Sequence, residues 1–176
     1  MLPESLAQLA LSIYNELSTP GKQREATTGF ADSEPMFIVM RGLPGSGKSS
    51  VSKEIQRLFQ TDLNEHVVRI CTDEILEMCE GSYLWAGWKM PLYHSIALKM
   101  AQRAFSSNVP VVILDNTNMQ KKDYEHYIFD AKQKGYTCHE FTVGEFTQEA
   151  IELSFTRNSH NVPHEAIQGM ARKFQA

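Results

Sequence analysis

The apolar positions change period several times along the chain, and each change marks an element. Leu6, Leu9, Ala10, Ile13, Tyr14 and Leu17 repeat at helical spacing and predict a helix over Pro3–Leu17 with one apolar face. The stretch STPGKQREATTGFADSEP that follows is rich in turn formers and charge, and reads as a linker or long surface loop. MFIVM, Met36–Met40, is a continuous apolar run that ends at a glycine-rich turn, as a buried parallel strand does. Val51, Ile55, Leu58 and Phe59 mark a helix face, HVVRI up to Ile70 a second strand, and TDEILEMC a helix with Thr72 and Asp73 as candidate N-caps. After the aromatic, irregular EGSYLWAGWKMP comes a helical stripe of Leu92, Ile96, Ala97, Met100, Ala101, Ala104 and Phe105. VPVVILD is the clearest buried strand. Lys121–Lys134 reads as one helix with Tyr124, Ile128 and Ala131 inward, YTCHEFTV as a fourth strand, and Thr147–Arg157 as a helix. Pro163 opens a last helix with Ile167, Met170 and Phe174 on one face. Strands alternating with helices predict an α/β fold: a parallel sheet covered on both faces.

Composition narrows the class. The chain has 176 residues, a formal net charge of −4 and three scattered cysteines, Cys71, Cys79 and Cys138. The charge argues against coating nucleic acid through bulk electrostatics, while leaving room for a local basic patch. The cysteines suit free, buried thiols in a reducing compartment, hence a cytoplasmic or nuclear setting, better than a disulfide framework or zinc site. The N-terminus lacks secretory-signal features and no apolar run is long enough to span a bilayer. The expected organisation is an N-terminal helix and linker over residues 1–35 and a nucleotide-binding domain over 36–176. The helix packs on that domain or docks a protein partner.

RGLPGSGKSS carries the strongest chemical signal. Gly42, Gly47, Lys48 and Ser49 fit G-x-x-x-x-G-K-[ST] between a predicted strand and a predicted helix. Across Gly42, Pro44, Gly45, Ser46, Gly47 and Ser50 the backbone is free to turn its N–H groups onto phosphate oxygens. Lys48 suits the β- and γ-phosphates of ATP or GTP, and the Ser49 hydroxyl suits Mg²⁺. Two acids follow two strands, where open α/β sheets bind ligands: Asp73 and Asp115. Asp73 is the better candidate general base for an acceptor hydroxyl, with simple helix capping as its alternative. Asp115 then supports the site from behind or positions the acceptor, or it holds Mg²⁺ through water, as in a switch or motor ATPase; Asn116, Thr117 and Asn118 either hold Asp115 and the acceptor or satisfy buried loop backbone. Arg157, the sole arginine of SFTRNSHNVPHEAI, is placed for a lid that meets charge on the transferred group, or it merely ends a helix. Tyr83, Trp85, Trp88 and Tyr93 cluster where an acceptor base would stack, or pack a core. Arg41, Lys89, Lys121 and Lys122 are candidate sources of local positive charge.

Several pieces in order resemble one family. RGLPGSGKSS, CTDEI, EGSYLW, VVILDNTNM and TRNSHNVPHEAIQGM are similar to motifs of the P-loop 5′-hydroxyl polynucleotide kinases, closest to the NEDD4-binding-protein-2-like group. The resemblance runs from about Met36 to Phe174 and excludes the first helix. It implies a three-layer P-loop NTPase fold with four or five mostly parallel strands and a small helical lid. It implies Mg²⁺- and ATP- or GTP-dependent γ-phosphoryl transfer to a single-stranded RNA or DNA 5′ end. Asp73 would be the base, Lys48 and Ser49 would serve phosphates and Mg²⁺, Asp115 would position the acceptor, and Arg157 would reach the donor phosphates from the lid. One position departs from the pattern: phage-type kinases place an acceptor-phosphate arginine three residues after the catalytic acid, where this chain has Leu76. Acidic Glu74, Glu77 and Glu80 surround it. Leu76 and the negative charge favour a small-molecule kinase on the same fold as the alternative. A nucleotide-binding interaction module with little turnover is another. The absence of a guanine-reading NKxD disfavours a GTPase switch.

Overall fold

The computed structural model describes residues 3–18 and 34–174. Most of the predicted linker therefore lies outside the described residues. In chain order the elements are α1 (Glu4–Leu17), β1 (Met36–Arg41), α2 (Lys48–Asp62), β2 (Val67–Ile70), α3 (Thr72–Glu80), α4 (Met90–Ser106), β3 (Val111–Asp115), α5 (Glu125–Gln133), β4 (Thr137–Thr142), α6 (Gln148–Arg157) and α7 (His164–Lys173). The strands form one sheet in the order β2-β3-β1-β4, and every pairing is parallel.

The side-chain alternation of β1 decides what each face covers. Phe37 and Val39 point into one core with Val112, Leu114 and the inner faces of α3, α4 and α5. Ile38 and Met40 point the other way, with Ile113, Val51, Ile55 and Phe59. Both faces are dry, which is why β1 and β3 read as unbroken apolar runs. Ala10, Ile13 and Tyr14 of α1 are buried in the second core, and the Tyr14 ring meets Phe59 edge-on at 5.1 Å between centroids. The apolar face of α1 thus packs against α2 and belongs to the same core as the sheet. A third cluster, Leu43, Met119, Ile151 and Ile167, ties α6 and α7 to the loop after β1.

Four readings of the sequence need correction. Thr72 and Asp73 are the first two helical residues of α3, not its caps; Cys71 precedes the helix without a side-chain cap. The Asn116 side chain accepts from the Thr72 N–H at 3.0 Å, so the orphan donor is satisfied from the neighbouring strand's loop. In α4 the inward residue is Tyr93, whereas Leu92 is exposed. Tyr93 donates to Glu80 at 2.5 Å and is a core residue, not an acceptor platform. The stretch Lys121–Lys134 splits at Tyr124 into a 3₁₀ turn and α5. Cys79 is exposed, while Cys71 is buried, its thiol pushed up to about 11 by burial first and by the Asp115 charge second.

Leu76 is fully buried in the first core. The position that bears an arginine in phage-type kinases faces apolar side chains here. Leu76→Arg should therefore destabilise the fold by about 3 kcal/mol or more, because it desolvates an unpaired charge. Urea titration checks this; a loss under about 1 kcal/mol would show that the site can open to water.

Candidate active site

The phosphate loop runs from Gly42 to Ser49, between the end of β1 and the first turn of α2. Gly47 caps α2 at φ 93° and Gly45 turns at φ 80°, both left-handed conformations that favour glycine. The loop is also hemmed in. A Cβ on Gly45 would lie 2.1 Å from the Ser154 carbonyl oxygen of α6. The helix leaves its first N–H groups aimed into the loop, with the positive end of its dipole behind them. Two buried hydroxyls, Ser46 and Thr72, have no partner among the described residues. Such oxygens suit a ligand that supplies the missing hydrogen bonds.

Asp115 ends β3 beside Met40, directly under this loop. It is 1% exposed. Its Oδ1 lies 3.4 Å from Lys48 Nζ and accepts from Ser49 Oγ at 3.3 Å. Its Oδ2 accepts from Ser52 Oγ at 2.6 Å and from Arg69 Nη1 at 2.7 Å. Burial alone would raise this carboxyl; Lys48, the Ser52 hydroxyl and Arg69 outweigh it and hold it below the usual carboxylate range. Asp115 thus contacts the end of the phosphate loop and the first turn of α2, whereas the resemblance implies an acceptor-side role. Asn118, also expected on the acceptor side, bonds to backbone. It is buried, and its side-chain amide donates to the Met40 carbonyl at 2.8 Å.

A cavity of about 690 Å³ opens in front of the loop. Pro44, Gly45, Gly47, Lys48, Ser49 and Ser50 line its floor. Asp73, Asn116, Tyr83 and Trp85 line it as well, and Arg157 enters from the end of α6. Gly42, Ser46, Asp115 and Asn118 lie outside its lining. The Tyr83 hydroxyl donates to Asp73 Oδ1 at 3.3 Å, and its ring lies tilted by 34° against His160 with centroids 4.0 Å apart. Burial, then the Asp73 charge, raises the Tyr83 phenol, so it remains a donor. Trp85 is 59% exposed at the cavity wall; Trp88 is 81% exposed and outside it.

The acidic segment is largely neutralised. Glu74 pairs with Lys53 at 2.9 Å and with Arg69, and Glu80 with Lys89 at 2.8 Å. Burial opposes ionisation of Glu74, but Arg69 and Lys53 prevail and its pKa is lowered. Arg41 is not a surface cation. It is buried, donates to the Asn118 carbonyl at 3.1 Å, and lies over the Phe174 ring at 4.5 Å.

Sequence reasoning missed three groups. Arg69 orients Asp115 and Glu74 at once; a charged residue inside the apolar strand VVRI was its signal. Ser52 lies one helical turn after Ser49 and faces the same carboxylate. His94 lines the cavity, and partial desolvation of its ring, opposed by the Asp73 charge, lowers its pKa and favours the neutral imidazole.

The hydroxyl of Ser49 and the carboxylate of Asp115 are hard oxygen donors side by side, which fits Mg²⁺ held mainly by phosphates and water. Among the described residues no cluster of three or more His, Cys, Asp or Glu forms a dedicated metal cage. No described helix is long and apolar enough to cross a membrane.

Residues 37–176 match the family model of the AAA domain. Human NEDD4-binding protein 2 is 27% identical over 143 residues, which is 80% of this chain and 8% of that protein. The Pnkp1/Rnl/Hen1 RNA repair complex contains a chain that superposes with a TM-score of 0.62 at 14% identity, covering 85% of this chain and 47% of that one. The PezAT chromosomal toxin-antitoxin system of Streptococcus pneumoniae superposes with a TM-score of 0.51 at 19% identity, covering 87% of this chain and 61% of that one. This chain therefore spans less than two thirds of each of these relatives, and the structural likenesses concern the fold. The matched segment contains the loop, the parallel sheet and the helices α6 and α7 beside them, and the chain belongs to the AAA domain family.

Proposed function

We propose that this protein is an NTP-dependent kinase that transfers the γ-phosphoryl group to a 5′-hydroxyl end of RNA or DNA. The observation that carries the reading is one cavity lined by Lys48 and Ser49, by the Asp73 carboxylate, by Tyr83 and Trp85, and by Arg157. A donor site, a base, a stacking surface and a cation thus share one space.

The roles follow from chemistry. Asp73 accepts the proton of the 5′-hydroxyl as that oxygen bonds to the γ-phosphorus and the bond to the β-phosphate oxygen breaks. The Tyr83 hydroxyl holds the Asp73 carboxylate in place. Asn116 fixes the start of α3, and so the direction in which Asp73 points. Lys48 and the loop N–H groups neutralise the donor phosphates, and Arg157 meets the charge that develops on the transferred group. Ser49 and Asp115 would hold Mg²⁺, which supplies charge neutralisation at the β- and γ-phosphates when bound. Tyr83 and Trp85 offer ring faces to the first bases of a single strand. Unpaired cysteines fit a cytoplasmic or nuclear setting.

One observation favours a second reading. Among the described residues lining the cavity the only lysine or arginine side chains are Lys48 and Arg157, both assigned to the donor. With Leu76 buried, no cation is left for an acceptor phosphate, which suits a small hydroxyl compound. A nucleotide-binding interaction module would keep the donor site and lack transfer altogether.

With 5′-hydroxyl RNA or DNA and labelled ATP or GTP, we expect transfer of label to the oligonucleotide. Transfer only to nucleosides or sugars would select the second reading, and tight nucleotide binding without transfer the third. Asp73→Asn should lower kcat about 10²- to 10⁴-fold while nucleotide affinity changes less than about 3-fold. Turnover near wild type in that variant would remove Asp73 as the base. Arg157→Ala should lower kcat about 10²- to 10³-fold with an unchanged melting midpoint, since the side chain is exposed at a helix end. A purely capping arginine would leave kcat intact.

A further inference from the structure

The matched family region begins at residue 37, yet the cavity also has walls from α1. Pro3 and Leu6 line it together with Lys48, Ser49 and Ser50. The three atoms nearest to a Cβ placed on Gly47 all belong to Leu6, with Cδ1 at 2.6 Å. The Leu6 side chain thus rests on the bare backbone of the phosphate loop. It is held there by Ala10 and Ile13, four and seven residues along the same helix face, both buried. Val162, Pro163, Ala166 and Met170, which line the same cavity, are apolar too. Ala166 and Met170 are one helical turn apart on α7.

We propose that α1 is part of the donor site: Leu6, supported by Pro3, is, together with the α7 face, the apolar surface against which the nucleoside of a bound nucleoside triphosphate packs. The inference rests on the donor reading of the phosphate loop. Phosphates cradled at the start of α2 leave a base and ribose that must lie within one triphosphate length of Gly47. The space there is continuous with the loop and has apolar walls. A planar base face gains most from apolar contact, and sugar carbons likewise.

The test compares two ligands by titration calorimetry on the full chain: ATP, which has a nucleoside, and inorganic tripolyphosphate, which lacks one. Leu6→Ala should weaken ATP roughly 5- to 20-fold and leave tripolyphosphate within about 2-fold. Leu6→Met, which conserves volume, should keep ATP within about 3-fold of wild type and thereby controls for damage to the helix. Equal weakening of both ligands in Leu6→Ala would make Leu6 a support of the loop only, and tighter binding of both would make it an obstruction. Unchanged ATP affinity, or a Leu6→Met variant as weak as Leu6→Ala, also overturns the proposal. Failure of wild type to bind either ligand would instead overturn the donor reading itself.

Discussion

Everything in the site leans on one buried carboxylate. Asp115 sits at the end of the central strand β3 and is reached by Lys48, Ser49 and Ser52 from α2 and by Arg69 from β2. A carboxylate so deeply buried is costly unless it is paired and hydrogen-bonded. Two cations and two hydroxyls meet that need, and in doing so they fix where the loop, α2 and β2 stand relative to one another. Arg69 carries the constraint further, since its guanidinium also binds Glu74 on α3. The phosphate loop and the start of α3 are thereby tied to the same anchor.

The loop is defined as much by what presses on it as by its motif. Val143 backs Gly42, Ser154 and Asn158 back Gly45, and Leu6 backs Gly47. Three separate parts of the chain thus converge on three glycines. At Gly42 and Gly45 neighbouring backbone leaves no room for a side chain, while at Gly47 the left-handed φ is the firmer demand, because the tip of a leucine can shift.

The strands, the loop and the two candidate acids were legible because each is a local pattern. MFIVM and VVILD are apolar runs of strand length, and the glycine-lysine-serine spacing stands between a strand and a helix. What escaped is non-local. The cap of α3 comes from Asn116, more than forty residues downstream, so the sequence suggested Thr72 and Asp73 instead. Where Asp115 sits depends on the register of β3 against β1, which pairs it with Met40 beside the loop. Tyr93 and Leu92 are adjacent and both large; the packing of α4 in the first core, with Glu80 receiving the phenol, chooses Tyr93. The α1 face was visible as amphipathic, but nothing in its spacing said that Leu6 would reach a glycine forty-one residues away.

The acceptor side shows how a charge count misleads when pairing is unknown. Glu74, Glu77 and Glu80 read as a field that repels a phosphate. In the folded chain Glu74 is balanced by Lys53 and Arg69 and Glu80 by Lys89, while Glu77 lies 4.0 Å from the His160 ring. The segment is then much closer to neutral than to acidic, and Leu76 beneath it is part of the core. On the reading proposed above, an acceptor entering here would meet ring faces, a tyrosine hydroxyl and the Asp73 carboxylate, with Lys48 and Arg157 as the only lysine or arginine among the described residues lining the cavity. Recognition by stacking gains affinity from the face of a base and little from its phosphate. That is compatible with a strand end bearing a free hydroxyl and with a small hydroxyl compound. On the proposed reading, an already phosphorylated end would have to bring its phosphate beside the Asp73 carboxylate, where like charges repel.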